Sequence, residues 1–250
     1  MYHSEFELLE GAFIIADAHY SHQRPQLLAF MKEINANKLQ PTQIIFLGDC
    51  FDALFYEVKQ TLENNKEIIE EIALASKRIE IIFFEGNHDF NLQKIFPQLK
   101  VYKLSQQPVV ANFRDKKVLL SHGDFDAGLL YRIYSAIIRN SVTLKVLATI
   151  DSFSKNFILK GLDKKLSKKD DCKKMQDFYS YTQKRFSKRS YECDFFIDGH
   201  YHQNQSYTLD SFNYINLGAF ACNQRYFSVK FFKDKELLEE KVFSKGIKYE

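Results

Sequence analysis

Five short Asp/His clusters punctuate the chain, each at the end of an apolar run. The runs cover residues 13–16, 44–47, 81–84, 118–120 and 195–197. The clusters are Asp17-Ala18-His19, Gly48-Asp49-Cys50-Phe51-Asp52, Gly86-Asn87-His88-Asp89, Ser121-His122-Gly123-Asp124 and Gly199-His200-Tyr201-His202. Short apolar runs closed by Gly or a polar residue read as buried strands of an α/β sheet. Ligand sites in such sheets form beyond the carboxyl ends of the strands, where every cluster would fall. Taken singly the motifs say little: His19 or His122 alone reads as a structural histidine, and Asp17 or Asp52 alone as a helix cap. Together they would need a separate structural reason at each strand end, so a shared site is the better reading.

At 250 residues the chain suits one domain with a large core, or a domain carrying an insertion. Its net charge of +3 is too small to imply nucleic acid, and no such partner is expected. Cys50, Cys172, Cys193 and Cys222 form no Cys-x-x-Cys pair and no evident disulfide framework. That usage points to a reducing, cytoplasmic compartment. Residues 1–11 carry acidic groups and no basic n-region, so no signal peptide is expected there. No apolar stretch approaches the ~18–20 residues of a membrane span. The chain is expected to be soluble, or to rest on a membrane without crossing it.

Strand-like segments at 12–16, 43–47 and 79–84 alternate with helical patterns at 26–37, opened by Pro25, and at 58–77. Shorter strands are expected at 101–104, 109–113 and 117–120, then at 195–197, 205–209, 212–217, 226–232 and 238–243. Two strand-rich regions flanking a helical one suggest two packed sheets with outer helices. The helical region, about 125–192, differs from the rest. Leu129, Leu130, Ile133, Tyr134, Ile137 and Ile138 recur at helical spacing. The same window holds about twice as many Lys and Arg as Asp and Glu. It reads either as a helical insertion packed on the core, or as a lid that grips a greasy anionic substrate and leans on an anionic membrane.

Two divalent ions side by side can activate water and polarise a phosphoryl group, which requires one ligand shared between them. Asp49 is the candidate bridge. Asp17, His19 and one distal histidine would complete one site; Asn87, His122 and the other distal histidine would complete the second. Imidazole, carboxylate and amide together suit Mn²⁺, Fe or Zn²⁺ better than Ca²⁺. His88 is a natural acid for the leaving oxygen, with Asp52 or Asp89 to hold it. Cys50 should face away from the metals, because alternate strand side chains point oppositely. His3 and His22 have no partners in sequence and no expected catalytic role.

The ordered clusters resemble the calcineurin-like metallophosphoesterases along the chain from Asp17 to His202. The resemblance implies a two-sheet β-sandwich flanked by helices. It also implies two divalent ions, Mn²⁺ foremost, one on Asp17, His19, Asp49 and His202 and the other on Asp49, Asn87, His122 and His200. Length, Gly86-Asn87-His88-Asp89-Phe90 and the helical insertion after Ser121-His122-Gly123-Asp124 make the chain more closely similar to the UDP-2,3-diacylglucosamine hydrolases of lipid A synthesis. That likeness implies a nucleotide-linked acylated sugar as substrate and an acyl-chain lid at about 125–192. It further implies peripheral contact with the inner face of the cell membrane. Arg132 and Arg139, flanked by apolar positions, are the expected lid contacts to substrate phosphate. The chain departs from that pattern with His88 where arginine is usual and Asp52 where glutamate is usual. Gln203 also stands where arginine commonly follows the last histidine. These departures lean toward a soluble nucleotide phosphodiesterase or phosphatase. A non-catalytic binding scaffold fits less well, because a decayed site should have shed such costly polar groups.

Overall fold

The computed structural model describes residues 6–230 and 237–243. His3 and the end of the strand expected at 226–232 lie outside the described residues. The first half runs β1 (Phe6–Glu7), β2 (Phe13–Ile15), α1 (Gln26–Asn35), β3 (Gln43–Leu47), β4 (Leu54–Phe55), α2 (Lys59–Asn64), α3 (Lys66–Ala75), β5 (Glu80–Phe84), β6 (Asp89–Phe90) and β7 (Lys100–Tyr102). Next come β8 (Val109–Phe113), β9 (Lys116–Ser121), α4 (Leu129–Ile138), α5 (Ser141–Phe153), α6 (Phe157–Leu166) and α7 (Phe178–Phe186). The chain then returns to β10 (Phe195–Asp198), β11 (Gln205–Thr208), β12 (Asn213–Asn216), α8 (Phe220–Asn223), β13 (Arg225–Val229) and β14 (Leu238–Val242).

One six-stranded sheet has the order β14-β13-β2-β3-β5-β7, with β2, β3, β5 and β7 parallel. The other is ordered β1-β8-β9-β10-β12-β11, with β9, β10 and β12 parallel. β4 and β6 form a small sheet of their own. Successive strand side chains point to opposite faces, and that alternation builds the layers. Ile44 and Phe46 of β3 cluster with Phe30 and Ile34 of α1 and with Ile68 and Ile72 of α3. Ile45 and Leu47 turn the other way, toward Val118, Leu120 and Ile197 of the second sheet. Leu119, Phe196 and Tyr214 on the far face of that sheet cluster with Phe178 and Phe186 of α7. The architecture is therefore a mixed α/β sandwich of two sheets with flanking helices, in line with the sequence pattern. Each fully buried side chain contributes about 1.5–3 kcal/mol by leaving water.

The single helix expected over 58–77 is two helices. Asn65 breaks it, because its buried amide donates to the carbonyls of Ala53 and Thr61 and holds the backbone out of helical geometry. The stripe on α4 also differs from expectation. Leu129, Leu130, Ile133 and Ile137 are exposed, and the residue that α4 buries is Ser135. Cys172 and Cys222, expected to be free thiols, are joined in a disulfide with their Cα atoms 5.6 Å apart. Fifty positions separate them in sequence, and the fold alone brings the turn after α6 beside α8. Cysteine usage therefore no longer points to a reducing compartment. Among the described residues no helix is long and apolar enough to cross a membrane.

Candidate metal centre

The ends of β2, β3, β5, β9 and β10 converge, and the clusters just beyond them meet there. Close approach demands glycine at three points, the first being Gly48, where a β-carbon would overlap the His122 ring. A β-carbon on Gly86 would overlap the Asp49 carboxylate, and one on Gly199 would overlap the Asp17 carboxylate. The backbone is bent further at the site residues themselves: Asp17, His19, Asp49, His200 and His202 all have positive φ, between 45° and 61°. Non-glycine residues in this region cost of order 1–3 kcal/mol each, and such residues collect at functional sites. Neither feature is visible in a composition or a hydropathy pattern.

Three sets of donors lie within 4.8 Å of one another: Asp17, His19 and His202; Asp49, His122 and His200; and His19, Asp49 and His88. His202 Nε2 is 3.0 Å from Asp17 Oδ1, and His122 Nε2 is 3.4 Å from both Asp17 Oδ1 and Asp49 Oδ2. Asn87 follows β5 and lines the adjoining cavity beside His88, with its Oδ1 buried and without a hydrogen bond. Hydrogen bonds fix which imidazole nitrogen faces inward. His202 Nδ1 lies 2.6 Å from the carbonyl of Asp171, which can only accept, so Nδ1 holds the proton and Nε2 is left as a free donor pair. His122 Nδ1 likewise donates to Asp124 Oδ1 at 2.8 Å, and Tyr131 of α4 donates to the other oxygen of Asp124 at 2.6 Å.

The pattern of unmet polar atoms tests whether this set fits divalent ions. Buried polar atoms almost always find partners. Here Asp17 Oδ1, both ring nitrogens of His19, Asn87 Oδ1 and His122 Nε2 are buried without a hydrogen bond. Their inward convergence supplies the lone pairs that a cation needs. Burial opposes the charge of Asp17, yet facing His202 and His122 outweigh it and hold the carboxyl well below the usual range. The same balance, with His122 and His88 opposing burial, keeps Asp49 ionised. Burial, then the neighbouring His122, pushes His200 down to about 4. Asp17 and Asp49 as anions and His200 as a neutral ring are thus in the forms that ligate cations. Against burial, the Asp49 and Asp124 carboxylates raise His122 and the Asp17 carboxylate raises His202, so a cation there would displace their protons.

His88 stands beside this set, with Nε2 3.9 Å from Asp49 Oδ2. Its Nδ1 is held 3.1 Å from the backbone carbonyl of Asp52, so neither expected carboxylate orients it. Asp52 instead directs Oδ1 to 3.3 Å from His19 Nδ1. Asp89 is wholly buried and gathers the backbone N–H groups of Asp49, Cys50, Phe51 and Gly86. Cys50 points into the helix-facing core. His22 lines a separate cavity with Asp52 and Asp163.

A cavity of about 530 Å³ opens from Asn87 and His88 and runs beneath α4, α5 and α6, where Ile138, Leu147 and Leu162 line it. The two arginines expected at such a place behave differently. Arg132 is exposed and does not line the cavity. Arg139 lines it, but its guanidinium is committed to Ser135, to Glu85 at 3.1 Å and to the carbonyl of Gly86 at 2.5 Å. It braces α4 against the turn that carries Asn87 and His88. The cations that line the cavity alongside it are Lys165 and Lys169. Both belong to a lysine-rich run, residues 164–169, inside the basic 125–192 window, and that excess of lysine was the available signal.

The calcineurin-like phosphoesterase profile matches residues 12–204. The chain belongs to this family, the calcineurin-like phosphoesterases. Among curated relatives, the UDP-2,3-diacylglucosamine hydrolase of Histophilus somni is 32% identical over 119 residues, 46% of this chain and 50% of that protein. The enzyme of the same name from Coxiella burnetii is 32% identical over 117 residues, 46% of this chain and 48% of its own length. The chain thus spans about half the length of the curated relatives it matches. Among solved structures, an archaeal phosphodiesterase aligns over 93% of this chain and 99% of its own at 16% identity, with a TM-score of 0.45. A phosphoesterase from E. coli aligns over 93% and 99% at 11% identity, with a TM-score of 0.44.

Proposed function

We propose that this chain hydrolyses a pyrophosphate or phosphoester bond next to an acylated, nucleotide-linked sugar. UDP-2,3-diacylglucosamine, cleaved to UMP and 2,3-diacylglucosamine 1-phosphate, is the best candidate. The observation behind this reading is the apolar cavity beneath α4–α6, which opens at Asn87 and His88. A water-soluble phosphoester gives no reason for such a chamber beside the site. The names of the curated relatives agree with it. Residues 125–192 then act as the lid, and acyl chains lie against Ile138, Leu147 and Leu162.

Two divalent ions, Mn²⁺ foremost, would be held by Asp17, His19, Asp49 and His202 and by Asp49, Asn87, His122 and His200; bound there, they activate water and polarise the phosphoryl group. The chain's own residues do the rest. His88 is half-buried, and burial lowers its pKa. With Nδ1 held by the Asp52 carbonyl, its Nε2 faces the site and donates to an oxygen bearing developing charge when the ring carries a second proton. Lys165 and Lys169 attract the anionic part of the substrate to the cavity mouth. The outward-facing Leu130 of α4, Phe153 of α5 and Phe157 of α6, set among lysines, would rest on an anionic membrane surface.

The test compares two substrates. Burial in the chamber should contribute ~0.8 kcal/mol per acyl CH₂. Ile138→Ser with Leu147→Ser should therefore lower turnover of UDP-2,3-diacylglucosamine at least about tenfold and spare a small chromogenic phosphodiester. Equal losses on both substrates, or wild-type protein that turns over soluble nucleotides and not the acylated sugar, would refute this reading.

A further inference from the structure

One carboxylate of the helical insertion reaches the metal centre itself. Asp171 lies in the turn after α6 and is 7% exposed. Its Oδ2 pairs with Arg24 Nη1 at 2.5 Å. Its Oδ1 has no hydrogen-bond partner and stands 3.8 Å from His19 Nε2, which also has none. Lys169 Nζ is 3.2 Å from the same oxygen, on a side chain that is 46% exposed. The backbone carbonyl of Asp171 accepts the proton of His202 Nδ1. Asp171 therefore touches both imidazoles of the Asp17, His19 and His202 set.

Its position is fixed from three sides. Arg24 holds the carboxylate, His202 holds the carbonyl, and the next residue, Cys172, is bonded to Cys222 on α8. The helix α8 is in turn tied to the first cluster, because the N–H groups of Phe220 and Ala221 donate to the carbonyls of Ala16 and Asp17. A buried carboxylate oxygen without a hydrogen bond is costly unless something compensates it, and the half-exposed Lys169 ammonium at 3.2 Å does so only in part. Donors on one divalent ion at about 2.0–2.2 Å stand roughly 3–4 Å from each other. The separation of Asp171 Oδ1 from His19 Nε2 falls in that range.

We propose that Asp171 is a further ligand, supplied by the insertion, to the ion held by Asp17, His19, Asp49 and His202. A carboxylate held there would compete with a substrate phosphate for that ion. This inference rests on the metal-centre reading above.

The experiment is calorimetric titration of metal-free protein with Mn²⁺, followed by titration of the loaded protein with inorganic phosphate. Groups that merely support metal ligands change affinity by about 10–100-fold, so loss of a ligand should weaken one of the two sites at least about tenfold. Asp171→Asn should show that loss at one site and leave the other unchanged, while phosphate binds more tightly. Asp171→Glu should restore part of the affinity. Arg24→Ala, which breaks the ion pair and keeps the carboxylate, should change neither site more than about twofold. Unchanged Mn²⁺ affinities in Asp171→Asn would overturn the proposal, as would an equal loss in Arg24→Ala, which would make Asp171 a structural strut. Wild-type protein that binds no Mn²⁺ would overturn this inference and the metal-centre reading together.

Discussion

Asp89→Ala should be among the most damaging substitutions in this chain, although Asp89 is not a candidate ligand. Its side chain is completely buried. Its oxygens accept from Cys50 N at 2.7 Å, Gly86 N at 2.9 Å, Asp49 N at 3.1 Å and Phe51 N at 3.3 Å. One carboxylate thus clamps the turn after β3, which presents Asp49, to the turn after β5, which presents Asn87. Removing it orphans four buried N–H groups. Each such group costs about 1–3 kcal/mol, and with the longest bond discounted the loss is on the order of 4 kcal/mol. Such a loss lowers Tm by roughly 10 °C in a chain of this size. Asp89→Asn keeps the shape and one acceptor oxygen, and it removes a charge that burial and the nearby Asp49 disfavour. It should cost about half as much. Thermal unfolding of metal-free protein, followed by circular dichroism, measures both. An alanine variant that melts within about 2 °C of wild type would refute the clamp.

Three further outcomes are expected from the same geometry. Burial holds His200 at about 4, below its ordinary 6.5. A base whose folded pKa is depressed contributes stability above its unfolded value and loses it as pH falls. Metal-free wild type should therefore lose stability relative to His200→Gln between pH 6.5 and about 4, and parallel melting curves would contradict this. Arg139→Ala leaves Glu85 buried without its cation, at a cost on the order of 3 kcal/mol. The denaturant midpoint should fall accordingly; an unchanged midpoint with a raised KM would make Arg139 a substrate contact instead. Replacing Leu130, Phe153 and Phe157 by Ser should reduce flotation with anionic vesicles and leave the far-ultraviolet spectrum intact, and undiminished flotation would remove the membrane surface from the account.

The layered fold is legible in the sequence because its signal is local. Apolar runs such as 44–47 can hardly be anything but buried strands, and parallel strands gather their trailing loops at one end. The candidate ligands are legible for the same reason, since each sits within four residues of a strand end. The remaining features are set by tertiary contact. The α4 stripe has helical spacing, but spacing does not say which side the core lies on, so Ile133, inward by its pattern, points outward. The Cys172–Cys222 bond joins segments 50 positions apart. Arg139 reads as free in sequence because Glu85, its partner, lies 54 positions away. Asp171 has no motif around it at all. The left-handed backbone of Asp17, His19 and Asp49 is imposed by packing, and residue type is only a weak sign of it, since Asp and His tolerate that region better than most residues.

Anomalous diffraction at the manganese edge, from crystals grown with Mn²⁺, tests the central claim most directly. The account predicts two peaks ~3.5–4 Å apart, with the Asp49 carboxylate between them. One peak should lie against Asp17, His19 and His202, and the other against Asn87, His122 and His200. A single peak, or two peaks that do not share Asp49, would contradict a two-metal centre at these strand ends.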